Sequence, residues 1–263
     1  MPGHFLLARL GKRVLRPGGI EMTRRILDAL DIRAGDKVVE LAPGPGATAR
    51  LALARRPASF IGVDQDGAAV SALAALPHDG GTVVIGRQGD AQRTGLPDGS
   101  ATVVYGEAMM TMHPTPGKLR VMREAHRMLE PSGRYGMHEL CLVPDDIDAD
   151  LAEEIRVAIV GPAHVGARPL TVPAWRQLLA EAGFTVTEEV VKPMRLLSFR
   201  RMAADEGLLR AAGIVIRTLR DPVARRRVRA MRRAFHQYRS HLAGVGFVAR
   251  PTAVPARPSP EVH

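Results

Sequence analysis

The chain has 263 residues, 46% of them hydrophobic, which is enough for one sizeable folded domain with an appendage. No apolar run approaches the roughly 20 residues that span a bilayer, the amino terminus does not resemble a signal peptide, and a lone Cys141 excludes an intrachain disulfide. We therefore expect a cytoplasmic protein without a transmembrane segment. No cluster of Cys and His has zinc spacing, so we expect no metal site.

The net charge of +10 is unevenly distributed. From Lys192 onward the chain has 16 Lys and Arg against 4 Asp and Glu, whereas residues 1–191 have 21 basic and 23 acidic residues. The excess positive charge therefore lies in the carboxyl-terminal part and favours an anionic partner there. The candidate partners are a phosphorylated or carboxylated small-molecule substrate, an acidic patch on a second subunit in a homodimer, an anionic membrane surface contacted peripherally, or nucleic acid.

Hydrophobic periodicity and turn residues predict alternating helices and strands in the first 191 residues. The predicted helices lie at 20–30, 48–54, 67–75, 118–129 and 173–182, and the predicted strands at 38–41, 60–63, 82–85, 101–105, 134–140 and 185–191. Such alternation predicts a three-layer, doubly wound α/β fold around a mostly parallel sheet. Residues 144–165 are polar and helical in character and predict an inserted cap.

A glycine-rich turn follows the first predicted strand, in the run Glu40-Leu41-Ala42-Pro43-Gly44-Pro45-Gly46. Glycines let the backbone approach a ligand closely, and the helix start behind them offers free N–H groups. The second strand ends in Asp64, which suits ribose hydroxyls. Two strand-end acids around a glycine turn are the layout of a nucleoside-binding βαβ unit.

Two cofactors fit this layout. Gly44-x-Gly46-x-x-Ala49 with Asp64 downstream satisfies the dinucleotide fingerprint, so a dinucleotide-dependent oxidoreductase stays an alternative. S-adenosylmethionine is favoured because Glu40 suits the ammonium of a methionine moiety and would repel a pyrophosphate. A helix before the first strand, and the turn Gly89-Asp90-Ala91 after the third, favour the same cofactor.

The chain resembles the class I S-adenosylmethionine-dependent methyltransferases, the broad group that includes the ubiquinone/menaquinone-biosynthesis and arsenite methyltransferases. The matching blocks are residues 39–46, 62–64, 89–91, 123–134, 169–175 and 182–184, and the resemblance spans residues 20–190. It implies a seven-stranded Rossmann-like sheet whose last strand, at 246–249, is antiparallel. It also implies S-adenosylmethionine as cofactor and S-adenosylhomocysteine as product. Ala42 departs from the pattern, since many members have a glycine there.

The resemblance also implies roles for individual residues. Glu40 is expected to face the methionine amine, Asp64 the ribose hydroxyls, Gln65 the adenine face, and Asp90 the adenine amino group. Independently of the resemblance, the double glycine in Arg16-Pro17-Gly18-Gly19 predicts that this segment arches over the methionine end of the cofactor, with a flexible linker as the alternative. The expected cofactor-binding set is Gly19, Glu40, Ala42, Gly44, Gly46, Asp64, Gln65, Asp90 and Ala91.

The catalytic candidates are Glu107, His113 and Glu139, which follow the fourth strand or end the fifth. A base is needed only when the acceptor holds a proton with a high pKa. His113 suits that role by position, and an ordinary loop histidine is the alternative. His138 and Glu139 alternate along a strand, so only one can face the site, and the family pattern favours Glu139.

Residues 1–191 are expected to form the cofactor-binding core, 192–250 a basic helical segment ending in the last strand, and 251–263 a disordered tail. Apolar residues recur at helical spacing in the basic segment, at Val228, Met231, Phe235, Tyr238 and Leu242, with arginines around them. Aromatic residues, which stack on RNA bases, make up only 4% of the chain. Strand four is followed by Tyr105-Gly106-Glu107-Ala108, which is not the motif that base methyltransferases have at this position. A small-molecule acceptor, anionic if the arginines reach it, is thus preferred over RNA.

Overall fold

The structure, a computed structural model, describes residues 17–78, 80–163, 166–194, 213, 217–218 and 220–252. Eight strands in these residues form one sheet: β1 Lys37–Leu41, β2 Ser59–Asp64, β3 Val83–Gln88, β4 Ala101–Glu107, β5 Leu129–Leu142, β6 Leu170–Thr171, β7 Phe184–Pro193 and β8 Leu242–Pro251. The longer helices are α1 Gly19–Ala29, α2 Ala47–Leu53, α3 Gly67–Ala74, α4 Thr115–Met128, α5 Ala149–Ala163, α6 Val172–Glu181 and α7 Pro222–Gln237.

The strand order is β3-β2-β1-β4-β5-β8-β7, and the two-residue β6 pairs with β5 beside this path. Strands β1 to β5 are parallel to one another, whereas β8 runs antiparallel between β5 and β7. The predicted doubly wound, mostly parallel sheet of seven strands is confirmed, with β6 as a short addition. The last strand is longer than the predicted 246–249, because its whole length pairs with two neighbours.

Helices cover both faces of the sheet. One core lies under α1, α2 and α3 and contains Leu27, Phe60 and Tyr105, all buried. The other lies under α4 and α6 and contains Trp175 and Phe247. Crossover helices on both faces bring the carboxyl ends of the parallel strands to one edge, where ligands of such sheets bind.

The two insertions leave the sheet at this same edge. β7 ends and the antiparallel β8 begins there, so the segment between them, which contains α7, emerges beside the end of β5. α5 and the end of α7 pack together over β5 in an apolar cluster that includes Ile155, Tyr238 and Leu142. The Tyr238 hydroxyl donates to Glu154 Oε1 at 2.6 Å. α5 and α7 therefore form a helical cap beside the carboxyl edge.

Some element bounds differ from the sequence predictions. β5 begins at Leu129 instead of residue 134, because Leu129 pairs with Ala101 before the register shifts to Val103 and Arg134. Leu242, expected on the basic helix, is the first residue of β8. Pro251, expected in the tail, pairs with Phe184 and is the last residue of β8. The expectations for residues 1–16, 195–212 and 253–263 lie outside the described residues.

Candidate active site

The glycine-rich turn between β1 and α2 has left-handed backbone at three positions. Gly44 has φ 53° and Gly46 φ 74°, a region that glycine enters without steric penalty. Ala42 has φ 54° and donates its N–H to the Val63 carbonyl at 2.8 Å. The glycine that many methyltransferases have at this position thus has a conformational reason, and Ala42 adopts the same backbone under strain. A Cβ on Gly44 would meet no atom within 4 Å, which leaves room for a ligand above the turn.

Asp64 ends β2 directly opposite this turn. Its Oδ2 accepts from the Gly44 N–H at 3.0 Å and its Oδ1 from the Asp66 N–H at 2.9 Å. Each oxygen keeps one lone pair for a further donor. The two backbone donors fix the orientation of the carboxylate, so it can present both oxygens to a pair of neighbouring hydroxyls.

Glu40 lies on the face of β1 that carries α1 to α3. Its side chain is buried, and the Tyr105 hydroxyl donates to Oε2 at 3.0 Å. A buried carboxylate beside the glycine turn supplies negative potential, which suits a cationic ligand group. Glu40, Asp64 and the turn therefore meet at one place, as the sequence predicts.

Three further candidates for cofactor contact lie after β2 and β3. Asp90 Oδ1 accepts from the Gln92 N–H at 2.9 Å, and the neighbouring Ala91 is buried. Gln65 is exposed after β2, and its backbone carbonyl accepts from Gln88 Nε2 at 3.1 Å. Gln65 and Asp90 thus lie just beyond the ends of the neighbouring strands β2 and β3.

Glu107 ends β4 and lies next to His138 of β5 in the strand register. Its Oε1 is 3.1 Å from His138 Nδ1, and its Oε2 accepts from the Thr48 hydroxyl at 2.6 Å. His138 Nε2 reaches the Pro17 carbonyl. Pro17, Gly18 and Gly19 are buried, and both glycines have positive φ. This segment, which we call the strap, packs so closely on β8 that a Cβ on Gly244 would lie 2.8 Å from the Pro17 carbonyl carbon.

Glu139 lies on the opposite face of β5, on the side of α4 and α6. Its Oε1 accepts from the backbone N–H groups of Met109 and Met110 at 3.0 and 2.8 Å. Its Oε2 accepts from the N–H and hydroxyl of Thr111 at 3.0 and 2.6 Å. Because four donors occupy the fully buried carboxylate, we correct its expected role. Glu139 holds the turn after β4, which we call the β4 turn (residues 108–113), and His138 is the neighbour that faces Glu107.

His113 ends the β4 turn and is half-buried. Its carbonyl accepts from Nζ of Lys118, a fully buried lysine on α4 that lies 5.4 Å from the centre of the Trp175 ring. Burial lowers the pKa of Lys118 to about 8, against the opposing effect of the Glu139 charge. Lys118 and Glu139 thus hold the two ends of the β4 turn, and His113 sits at the end that Lys118 fixes.

Sequence reasoning missed three of these residues. Thr48 and Lys118 occupy ordinary helical positions, and nothing in their local pattern indicates contact with a strand end. His138 was one of two alternating candidates, and the alternation itself offered no way to assign the faces. The signal for His138 is Met137, whose apolar side chain belongs to the core under α4 and α6 and so directs its neighbour to the other face.

Within the described ranges, no group of three or more His, Cys, Asp or Glu side chains is arranged to hold a metal ion. No helix in that part of the chain is long and apolar enough to cross a membrane.

Comparison with known proteins identifies the fold and the chemistry. Residues 38–133 match the family model described as a methyltransferase domain. An uncharacterized protein of Haemophilus influenzae is 35% identical over 216 residues, covering 81% of this chain and 84% of that one. The 27-O-demethylrifamycin SV methyltransferase of Amycolatopsis mediterranei is 29% identical over 164 residues, covering 62% of this chain and 58% of that one.

Solved structures agree with this match. The MccD protein superposes with a TM-score of 0.68 at 20% identity, covering 90% of this chain and all of that one. A geranyl diphosphate methyltransferase in complex with S-adenosylmethionine superposes with a TM-score of 0.60 at 16% identity, covering 88% of this chain and 85% of that one. The chain belongs to the class I S-adenosylmethionine-dependent methyltransferases. It is an enzyme with S-adenosylmethionine as its cofactor, which sets the oxidoreductase alternative aside.

Proposed function

We propose that the protein binds S-adenosylmethionine across the glycine turn and methylates a small-molecule acceptor held between the β4 turn and the helical cap. The observation that carries the cofactor part is Asp64, whose two backbone donors leave one lone pair free on each oxygen beside Gly44, where a Cβ would meet no atom within 4 Å. The buried Glu40 adds the negative potential that a cofactor with an ammonium and a sulfonium requires. The residues present therefore fit this cofactor.

Individual roles follow from chemistry. Asp64 accepts from the two ribose hydroxyls, and Glu40 faces the methionine amine. Asp90 and the backbone of Ala91 receive the adenine edge, and Gln65 lies on the adenine face. Ala42, Gly44 and Gly46 provide backbone contacts, and Gly19 in the strap lies at the methionine end. The bound cofactor supplies an electrophilic methyl group, so the protein's task is to align the acceptor and exclude water.

The β4 turn supplies the acceptor side. It contains three methionines, at 109, 110 and 112, whose flexible thioethers suit an apolar wall. His113 is the group placed to take a proton from an acceptor hydroxyl or amine, and Glu107 lies nearer the cofactor. Glu139 and Lys118 position the turn without contacting the acceptor.

The arginines of α7 favour an anionic acceptor. Arg226, Arg229, Arg232 and Arg233 are exposed, and none of them pairs with a carboxylate in the described part of the chain. Like charges on one helix repel one another, and an anionic ligand relieves this repulsion. The helix belongs to the cap beside the carboxyl edge, where it can attract a phosphorylated or carboxylated acceptor. A homodimer and a cytoplasmic location stay predictions.

The cofactor assignment is tested by calorimetry with S-adenosylmethionine. Asp64→Ala removes two charge-assisted hydrogen bonds, so we expect the affinity to fall by about 3 kcal/mol or more, on the order of a hundredfold. Asp66→Asn is the matched control, because Asp66 is two residues away, caps α3 through the Ala68 N–H and has no proposed ligand contact. Equal affinities of the two variants would contradict the assignment.

The acceptor is identified by screening metabolite classes for release of S-adenosylhomocysteine. With an acceptor in hand, changing Arg226, Arg229 and Arg233 to Gln should raise its KM and weaken the salt dependence of KM, while cofactor affinity stays unchanged. Unchanged kinetics would contradict the anionic acceptor. Loss of RNA or vesicle binding in the triple variant, with KM unchanged, would assign the arginines to those partners instead.

A further inference from the structure

The segment between β3 and β4 contains neither a helix nor a strand. Residues 89–100, which we call the β3 turn and which the structure describes throughout, have one isolated bridge, between Asp90 and Arg93. A surface connection of this kind is ordinarily mobile. The β3 turn nevertheless contains Asp90 and Ala91, whose proposed contacts with adenine require a fixed position. Contacts from outside the turn must therefore hold it.

Three side chains of α4 make such contacts, and we call them the α4 clamp: Arg120, Glu124 and Arg127. They follow one another at spacings of four and three residues, which places them along one side of the helix. Arg120 Nε donates to Gln92 Oε1 at 2.7 Å, and the Gln92 N–H donates to Asp90 Oδ1 at 2.9 Å. α4 is thus connected to the carboxylate that is proposed to receive the adenine amino group.

Glu124 holds the middle of the β3 turn through Thr94. Its Oε1 accepts from the Thr94 N–H and from the Thr94 hydroxyl, each at 2.7 Å. The Thr94 hydroxyl oxygen accepts in turn from the Leu96 N–H at 3.2 Å. The Glu124 side chain is only 9% exposed, so these bonds form largely away from water. Hydrogen bonds to a charged carboxylate are roughly twice as strong as those between neutral groups.

Arg127 fixes the Glu124 carboxylate and reaches the β3 turn itself. Its Nε donates to Glu124 Oε2 at 2.9 Å and its Nη2 to Oε1 at 2.7 Å. Nη2 also donates to the Leu96 carbonyl at 2.8 Å, and Nη1 pairs with Asp98. The hydrogen bonds from Arg127 and Thr94 outweigh the effect of burial and lower the pKa of Glu124 to about 2. The carboxylate is therefore charged at neutral pH.

We propose that Glu124 is a positioning residue for cofactor recognition, which with Arg120 and Arg127 holds the β3 turn where Asp90 meets the adenine amino group. The α4 clamp acts through the turn and does not touch the cofactor. While the clamp is intact, Asp90 has one position and rejects a base that presents an acceptor to it. When the clamp is loosened, the turn shifts to accommodate such a base, so selectivity for adenine falls. The inference rests on the proposed contact between Asp90 and adenine.

The test compares two ligands by calorimetry. In the inosine analogue of S-adenosylhomocysteine, a carbonyl oxygen replaces the adenine amino group, so Asp90 meets an acceptor instead of a donor. We expect wild type to bind S-adenosylhomocysteine at least about tenfold more tightly than the analogue, the effect of one charge-assisted hydrogen bond. Thr94→Val and Glu124→Ala should each lower this ratio at least about threefold. Thr94→Val keeps the side-chain volume and the N–H contact, so it serves alone if Glu124→Ala does not fold.

Two controls separate positioning from a general loss of stability. Thr94→Ser keeps the hydroxyl and should keep the wild-type ratio, although it removes a buried methyl group. His126 follows Glu124 by two residues on α4, and its ring packs edge-on against Phe184. His126→Ala should lower the free energy of unfolding and leave the ratio unchanged. If Thr94→Val weakens the binding of both ligands by the same factor, the clamp has no part in recognising adenine and the inference is wrong.

A second readout needs no cofactor. The N–H groups of Gln92 and Arg93 both donate to Asp90, and neither bond includes a substituted residue. Hydrogen exchange at these two groups should be faster in Thr94→Val than in wild type, whereas His126→Ala should exchange as wild type does. Unchanged exchange in Thr94→Val would overturn the inference. If wild type binds both ligands equally, the proposed contact of Asp90 is wrong, and exchange alone then decides whether the clamp holds the turn.

Discussion

Glu139→Gln distinguishes a carboxylate that holds the β4 turn from one that takes a proton during catalysis. The change replaces one oxygen by an amino group of the same size. In its better orientation the Gln carbonyl still accepts from Met109 and Met110, and its amino group faces Thr111. The Thr111 hydroxyl can rotate to accept, but the Thr111 N–H then meets a donor and stays buried without a partner.

The expected effect follows from the four contacts of 2.6 to 3.0 Å. An unsatisfied buried N–H costs about 1–3 kcal/mol, and weakening the other bonds from charged to neutral costs about 1 kcal/mol more. We therefore expect Glu139→Gln to lower the free energy of unfolding by about 3 kcal/mol. Acceptor KM should rise because the turn shifts, while affinity for S-adenosylmethionine changes little.

Urea unfolding and steady-state kinetics measure these quantities. Thr111→Val provides the control, since it removes the hydroxyl donor and leaves the three backbone donors in place. The double variant should lose less stability than the sum of the single variants, because the groups share one contact. A catalytic base predicts the reverse pattern, with normal stability and a loss of kcat on the order of 10²–10⁴. That result would refute the positioning role.

Two further predictions concern strained or buried groups. Lys118 has its pKa lowered from 10.5 to about 8 by burial, so the folded state binds fewer protons than the unfolded state between these values. Wild-type stability relative to Lys118→Met should therefore rise with pH between about 8 and 10.5, by at most about 3 kcal/mol; a pH-independent difference in urea unfolding would contradict it. Ala42→Gly should raise the free energy of unfolding by about 1 kcal/mol, because φ of 54° is strained for alanine. If the urea-unfolding midpoint of Ala42→Gly were equal to or below that of wild type, the strain at Ala42 would be absent.

The cofactor half of the site was predictable because each of its residues lies at a strand end. Parallel strands bring their carboxyl ends together whatever the rest of the chain does, so Glu40 and Asp64 had to meet near the glycine turn. The antiparallel last strand followed from the family pattern. The start of β5 could not be predicted, because its first residues pair with β4 through an irregular register that leaves no trace in the hydrophobic alternation.

The acceptor half was less predictable because it depends on contacts between distant elements. Alternation showed that His138 and Glu139 lie on opposite faces, but only packing decides which face meets Glu107. Lys118 lies in an amphipathic helix where a lysine is ordinarily exposed, and its burial results from the approach of α6 with Trp175. The prediction that the apolar residues at 228–242 share one helix was partly wrong, because their spacing stays helical across the boundary between α7 and β8.

The position of β8 has a consequence for how the chain acquires its structure during synthesis. β7 joins the sheet through β8, which follows β1 to β7 along the chain and so leaves the ribosome after them. The five parallel strands can assemble first, but β5 then presents an open edge until residues 242–251 arrive and pair on both sides. An unpaired edge is a site for association with other chains. A protein that stops before Leu242 should therefore aggregate even though its glycine turn and both strand-end acids are complete.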